Sequence, residues 1–157
     1  DSFISVFEQM GCNIYIYDGC VYVNAGKPLR AVNKIITMPH PGFPTDAQAI
    51  LMAVLCKANG TSIFEENIFE NRYRHVDALV KMGADIKVIG KAAVINGVKT
   101  LYGAKVSATD LRGGAAMAVA GLGAEGKTEI SDIEHIDRGY ENFESVITSM
   151  GGKITRI

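Results

Sequence analysis

Three polar clusters stand where a folded chain could do chemistry. In "PHPGFPTDAQA", Pro41, Gly42 and Pro44 make a stiff approach to Thr45 and Asp46 at the head of an apolar helix. A carboxylate there can accept a proton or a hydrogen bond from a hydroxyl group. It can equally cap the helix, and Thr45 could cap in its place. "IFENRYRH" and "HIDRGYE" put Arg72 and Arg138 near predicted helix N-termini, where a cation opposes the helix dipole. A phosphate or carboxylate ligand would account for them, because the guanidinium offers a bidentate fork and the helix end adds N–H donors. The structural alternative is an ion pair, Arg72 with Glu70 or Arg138 with Asp137 or Glu141. "ATDLRGG" adds Arg112 in the first turn of its own helix, with Gly113 and Gly114 permitting close approach. Three arginines at like positions point to an anion site.

Other chemistries find little support. No GxSxG, Walker loop, dinucleotide fingerprint or HExxH motif is present. Cys56 lies inside an apolar helical run and reads as a buried, inert thiol, and His75 and His135 read as surface or capping residues. Cys12, Cys20 and Cys56 form no CxxC pair and show no zinc spacing with His40, His75 or His135, so reduced thiols in a cytoplasmic protein are expected. The net charge of −1 and the scattered basic residues argue against nucleic acid and anionic membrane as partners. No stretch reaches the run of about 20 apolar residues that a membrane span needs. No cofactor or metal is implied.

The elements that must position these residues are marked by a recurring Met-Gly-x-x-Ile, starting at Met10, Met82 and Met150. Each copy follows an amphipathic helical run, "SFISVFEQM", "RYRHVDALVKM" or "YENFESVITSM", and precedes an alternating strand, "NIYIY", "DIKVIG" or "KITRI". Glycine at that point accepts the left-handed conformation that ends a helix.

The repeat is wider than this motif. Thr45-Asp46 aligns with Thr109-Asp110, Gly60 with Gly126, Arg72 with Arg138, and Met82-Gly83 with Met150-Gly151. Each copy reads strand, helix, strand, helix, strand, with an added hairpin strand "AAVING" in the first. Strands "NKIIT" and "AKVSA" lead in, and "TSIFE" and "KTEIS" follow the first helices. The expected class is α/β (α+β), built of repeated βαβαββ units with helices on one side of mixed sheets. Residues 1–37 form the tail of one unit, 38–99 a second and 100–157 a third. The helix "TDLRGGAAMAVAGLGA" has almost no polar face and should be buried against its equivalents. "DSFISVFEQM" has no initiator Met and is helical almost from its first residue, so a piece of a longer chain is expected.

Taken in order, "PHPGFPTDAQA", "FENRYRHVDALVKMGADI", "ATDLRGGAAMAVAGL" and "HIDRGYENFESVITSMGGKI" resemble the C-terminal part of the UDP-N-acetylglucosamine 1-carboxyvinyltransferase family of enolpyruvyl transferases. The resemblance runs from about Met10 to Ile157. It implies a two-domain enzyme of six such units, an inside-out α/β barrel-like arrangement, with UDP-N-acetylglucosamine and phosphoenolpyruvate bound between the domains. By that resemblance Asp46 touches the attacking sugar hydroxyl as candidate general base, and Ile68, before Phe69 of FENR, contacts the uridine nucleotide. Arg138 reaches the phosphoenolpyruvate site, while Phe69, Arg72, Asp110 and Arg112 line or support the cleft. The family's reactive cysteine loop and phosphate-binding Lys and Arg residues belong to the N-terminal domain, which is missing here. "GKP" at Gly26 to Pro28 is similar to the family's early lysine segment but lies at a different place. The fragment alone is therefore expected to be inactive. The shikimate-pathway enolpyruvyl transferase shares the fold, although FPTD and FENR argue against it. A non-catalytic binding module, with the acids as caps and the arginines in surface pairs, is the alternative outside enzymology.

Overall fold

The computed structural model describes residues 2–26 and 28–157, so Lys27 of the "GKP" segment lies outside the described residues. The chain opens with helix α1 (Ser2–Gln9) and an antiparallel hairpin, β1 (Asn13–Tyr17) and β2 (Cys20–Asn24). Strand β3 (Lys34–Ile36), helix α2 (Thr45–Leu55), strand β4 (Thr61–Glu65), helix α3 (Val76–Lys81) and the hairpin β5 (Asp85–Ile89) and β6 (Ala92–Asn96) follow. Then come β7 (Leu101–Tyr102), β8 (Lys105–Ser107), α4 (Leu111–Leu122), β9 (Ala124–Glu125), β10 (Glu129–Ser131), α5 (Glu134–Asp137) and α6 (Phe143–Ser149). The class is mixed α/β, as the alternation of periods predicts.

The four-stranded sheet has the order β3-β4-β6-β5, with β3 parallel to β4 and β6 antiparallel to both its neighbours. The parallel pair requires a crossover, and α2 supplies it. The same device recurs between β8 and β10, which are parallel and joined through α4. Gly11, Gly83 and Gly151 all have positive φ, 95°, 94° and 89°, so each Met-Gly pair ends its helix by a left-handed turn.

Helices α2 and α4 pack on each other and carry the core. Leu51, Met52, Leu55, Phe64, Leu79, Met82, Ile95, Leu101 and Met117 are each less than 2% exposed. In α4 every residue from Gly113 to Ala118 is buried, because alanine and glycine let this helix approach its equivalent and α5 closely. A Cβ on Gly114 would stand 2.5 Å from Ile136 Cγ1.

Three expectations need correction. "KITRI" forms no strand: residues 152–157 run on without regular structure. Its equivalent β5 pairs with β6 alone, and residues 1–157 hold no counterpart of β6 after Gly151 to supply the hydrogen bonds. The helix expected over "RYRHVDALVKM" is regular only over Val76–Lys81, with residues 72–75 in turns. The helix expected from Arg138 onward is regular only over Phe143–Ser149: Arg138 caps the end of the short α5 instead, and Asn142 just before α6 is left-handed, with φ 49°.

The β1–β2 hairpin shows both faces to solvent, with Tyr15, Ile16, Tyr17, Val21, Tyr22 and Val23 each more than half exposed. Its residues stand 72 positions before those of β5 and β6, and β6 is covered along its other edge by β4. No strand among the described residues covers β2 in that way.

Candidate functional site

Asp46 sits in the first turn of α2 but caps nothing. Pro44 occupies the cap position and its ring offers no acceptor, so no side-chain cap bond forms; the Thr45 hydroxyl, one residue on, donates to Glu66 Oε2 at 2.8 Å. The expectation that Asp46 or Thr45 caps the helix is thus replaced by a different use of both. Asp46 has a 69% exposed side chain, and Arg112 Nε and Nη2 each reach its Oδ1 at 2.6 Å. The two residues lie 66 positions apart, in the first turns of equivalent helices. Packing of α2 on α4 brings them together, and Oδ2 of Asp46 accepts no hydrogen bond among the described residues. A carboxylate held by one oxygen and open at the other can receive a hydroxyl proton.

Asp110 is the true cap. Its Oδ1 accepts from the backbone N–H of Arg112 and of Gly113, both at 2.9 Å. Burial would raise its pKa, but those two N–H groups, the neighbouring His75 imidazole and the Thr109 hydroxyl together bring it below the ordinary value. It supports the site by fixing the turn that carries Arg112. Beside it, His75 is 1% exposed and its Nε2 has no hydrogen-bond partner among the described residues. Burial pulls the imidazole pKa down to about 4, against an upward pull from Asp110 and the backbone of Arg72. His75 stands at the N-cap position of α3 but makes no side-chain cap bond, and the expectation of a surface residue is corrected: it is a neutral core residue.

The FENR segment forms a loop beyond β4. Phe69 is 53% exposed, and the Arg72 guanidinium carbon lies 4.3 Å from the centre of its ring, a cation–π contact. Arg72 therefore braces Phe69 instead of pairing with Glu70. Ile68 is half-buried, and its N–H and that of Phe69 donate to Glu66 Oε1 at 2.8 and 3.1 Å. A groove of about 410 Å³ runs along this loop, lined in part by Ile68, Phe69, Arg72 and Lys91.

Arg138 is exposed and sits at the C-terminal cap of α5. A cation is favoured there by the helix dipole, so the expected conflict with the dipole does not arise. The ion pairs expected for it do not form among the described residues, because Asp137 is taken by Arg156, which also holds Glu144. Its neighbour Gly139 packs on Leu111 at the head of α4, which places Arg138 at the same end of the fold as Arg112. Tyr140, two residues on, has its pKa raised by burial, lowered by Arg112 and raised again by Asp46. The structure thus groups Asp46, Arg112, Asp110 and Tyr140 around the heads of α2 and α4, with Arg138 next to Gly139, which packs on Leu111, and Ile68, Phe69 and Arg72 on the loop tied to α2 through Glu66.

Glu66 and Tyr140 were not anticipated. A signal for Glu66 exists in strand alternation: Ser62 and Phe64 face inward, so the second residue of "EE" must do so too, while Glu65 turns out to meet Lys34 at 2.6 Å. Tyr140 has no comparable signal, since its place depends on how the turn after α5 folds back.

Residues 1–147 match the family described as EPSP synthase (3-phosphoshikimate 1-carboxyvinyltransferase). The chain is 50% identical over 154 residues to UDP-N-acetylglucosamine 1-carboxyvinyltransferase 2 of Caldanaerobacter subterraneus subsp. tengcongensis, covering 98% of this chain and 37% of that protein. It is 51% identical over 154 residues to UDP-N-acetylglucosamine 1-carboxyvinyltransferase 1 of Clostridium acetobutylicum, with the same coverage. The chain spans little more than a third of the length of these relatives. The crystal structure of the enolpyruvyl transferase NikO from Streptomyces tendae matches with a TM-score of 0.88 at 24% identity, over 98% of this chain and 36% of that one. EPSP synthase from Acinetobacter baumannii matches with a TM-score of 0.63 at 19% identity, over 89% and 36%. The chain belongs to the EPSP synthase family of enolpyruvyl (1-carboxyvinyl) transferases, and shares about half its residues with members named UDP-N-acetylglucosamine 1-carboxyvinyltransferase.

Proposed function

We propose that these residues form one wall of the site of an enzyme that transfers the enolpyruvyl group of phosphoenolpyruvate to the 3-hydroxyl of UDP-N-acetylglucosamine, releasing phosphate. This is the first committed step of peptidoglycan synthesis, and it places the protein in the cytoplasm, in cell-wall biogenesis, cell shape and division. The observation that carries the reading is the Asp46 carboxylate, anchored through Oδ1 by Arg112 and open at Oδ2. Oδ2 takes the proton of the sugar hydroxyl as its oxygen attacks phosphoenolpyruvate. Arg112 and Arg138 supply positive charge for the carboxylate and phosphate of that substrate. Ile68 and Phe69 hold the uridine, with Arg72 behind the Phe69 ring.

The opposite wall, with the cysteine loop and further phosphate-binding Lys and Arg residues, comes from a second domain outside residues 1–157. A half-site loses the burial that closure provides, so these residues bind substrate weakly and do not turn it over by themselves. No helix among the described residues is long and apolar enough to cross a membrane.

Titration of the chain with UDP-N-acetylglucosamine, followed by NMR chemical shifts, tests the assignment. Shifts clustered at Asp46, Ile68 and Phe69 support it. Their absence at millimolar ligand, together with no phosphate release once the second domain is restored, overturns it. The same assay with shikimate 3-phosphate separates the reading from the shikimate-pathway reaction.

A further inference from the structure

We propose that Glu66 is a positioning residue that holds the nucleotide loop and the Asp46 helix in one frame. Glu66 is 2% exposed, and no cation pairs with it among the described residues. A buried carboxylate without a counter-ion is costly unless hydrogen bonds replace its water. Here they converge from three segments. The Thr37 hydroxyl, just after β3, donates to Oε1 at 2.8 Å. The Ile68 and Phe69 N–H groups donate to the same oxygen. The Thr45 hydroxyl, next to Asp46, donates to Oε2. The loop is gripped further, since the Asn67 N–H donates to Thr37 Oγ1 at 2.9 Å. Three successive loop N–H groups are thereby fixed to one carboxylate and its threonine.

The repeat supplies an internal comparison. Glu65 pairs with Ile36 as Ser131 pairs with Ser107, so the next residues, Glu66 and Asp132, are equivalent. The parallel pair is made in the same way in both units: the N–H of Thr37 donates to Glu65 O, and that of Ala108 donates to Ser131 O. Asp132, however, is exposed, and its Oδ2 accepts only from the hydroxyls of Ser107 and Ser131 among the described residues. Strand pairing at this point therefore does not require a buried acid. The two positions differ in backbone as well as in side-chain length: Asp132 is left-handed, with φ 55°, whereas the longer Glu66 places its carboxylate under a loop and against the head of α2. One group thus fixes the separation between the residues assigned to the uridine and the carboxylate assigned to the sugar hydroxyl. Catalysis is sensitive to that separation, because small misplacements of reacting groups cost rate.

The kinetic part of this inference rests on the substrate reading above; the structural tie does not. The test uses the full-length enzyme containing this chain, with Glu66→Ala, Glu66→Gln and Thr45→Val. Removing a charged acceptor from buried donors is expected to raise KM for UDP-N-acetylglucosamine by about tenfold or more and to lower kcat. KM for phosphoenolpyruvate should stay within about twofold. Amide hydrogen exchange at Ile68 and Phe69 should accelerate in the same variant. Glu66→Gln should restore most of both, since its amide oxygen still accepts from the loop and its NH2 can donate to Thr45. Thr45→Val cuts only the link to α2 and should lower kcat while leaving loop exchange slow, which tests the tie even if Glu66→Ala does not fold. Unchanged exchange at Ile68 and Phe69 in Glu66→Ala, or unchanged kcat in Thr45→Val, overturns the proposal. A wild-type enzyme that does not turn over UDP-N-acetylglucosamine overturns the substrate reading instead, and the exchange result still decides the tie.

Discussion

Arg112 binds Asp46 through a single carboxylate oxygen, with Nε and Nη2 both 2.6 Å from Oδ1. Two pseudo-equivalent helices thereby place a cation and an anion from different units side by side. The pair is solvent-facing, so its effect on stability is small, about 0–1 kcal/mol. Its consequence is orientation of the second oxygen.

Asp46→Asn in the full-length enzyme should lower phosphate release by roughly 10²- to 10⁴-fold, the range for losing a general base. The melting temperature should move little, because the amide keeps the contact with Arg112. Turnover within a few-fold of wild type would remove Asp46 from the proton transfer.

Arg112→Lys should be a poor substitute, because an ammonium cannot present two N–H groups in the plane of one carboxylate oxygen. A fall in kcat with the fold intact by circular dichroism is the expected result. Retention of full kcat would mean that charge alone, without the fork, sets Asp46.

Phe69→Ala removes the exposed ring that Arg72 braces from one side. Stacking of a base on such a ring is typically worth about 1–3 kcal/mol. Calorimetric affinity for the uridine nucleotide should weaken by a corresponding factor, while Arg72→Ala, which leaves the ring but not its support, should weaken it less.

His75 provides a pH dependence of stability. Its folded pKa of about 4 lies below the ordinary 6.5, so the unfolded chain binds the proton more readily. The stabilisation is fully present above pH 6.5, and it is lost as pH falls from 6.5 towards 4. The loss is on the order of 3 kcal/mol by linkage. Urea unfolding of the chain from pH 7 to 4 should show this slope, and His75→Gln should flatten it. Asp110 acts in a lower window, as its folded pKa is below 3.8.

Gly97→Ala should destabilise strongly, since its Cβ would fall 1.6 Å from the Ala58 carbonyl oxygen. Backbone, unlike a side chain, cannot swing away, so a cost of about 3 kcal/mol or more is expected from overpacking. Thermal denaturation checks this directly.

Residue order alone specifies the local grammar of this protein. Helix periodicity, the glycine after each helix and the strand alternation depend on neighbours within a few residues, so α2, α4, β4, β5 and the Met-Gly turns are legible one segment at a time. The repeat offsets and the FPTD, FENR and HIDRG motifs likewise lie in the order of residues, and they were enough to indicate the family.

Whatever depends on a partner far along the chain is set by the folded packing. Asp46 reads as a cap until α4 brings Arg112 to it, and the burial of Glu66 becomes a tie only when β3, the FENR loop and the head of α2 meet. "KITRI" has strand alternation but no neighbouring strand, and alternation without hydrogen-bond partners does not make a sheet. Arg138 caps the end of α5 instead of opening a helix, and left-handed Asn142 holds the next helix back to Phe143. Local preference is only a few tenths to about 1 kcal/mol per residue, so the partner that a segment finds or lacks in the folded chain outweighs it.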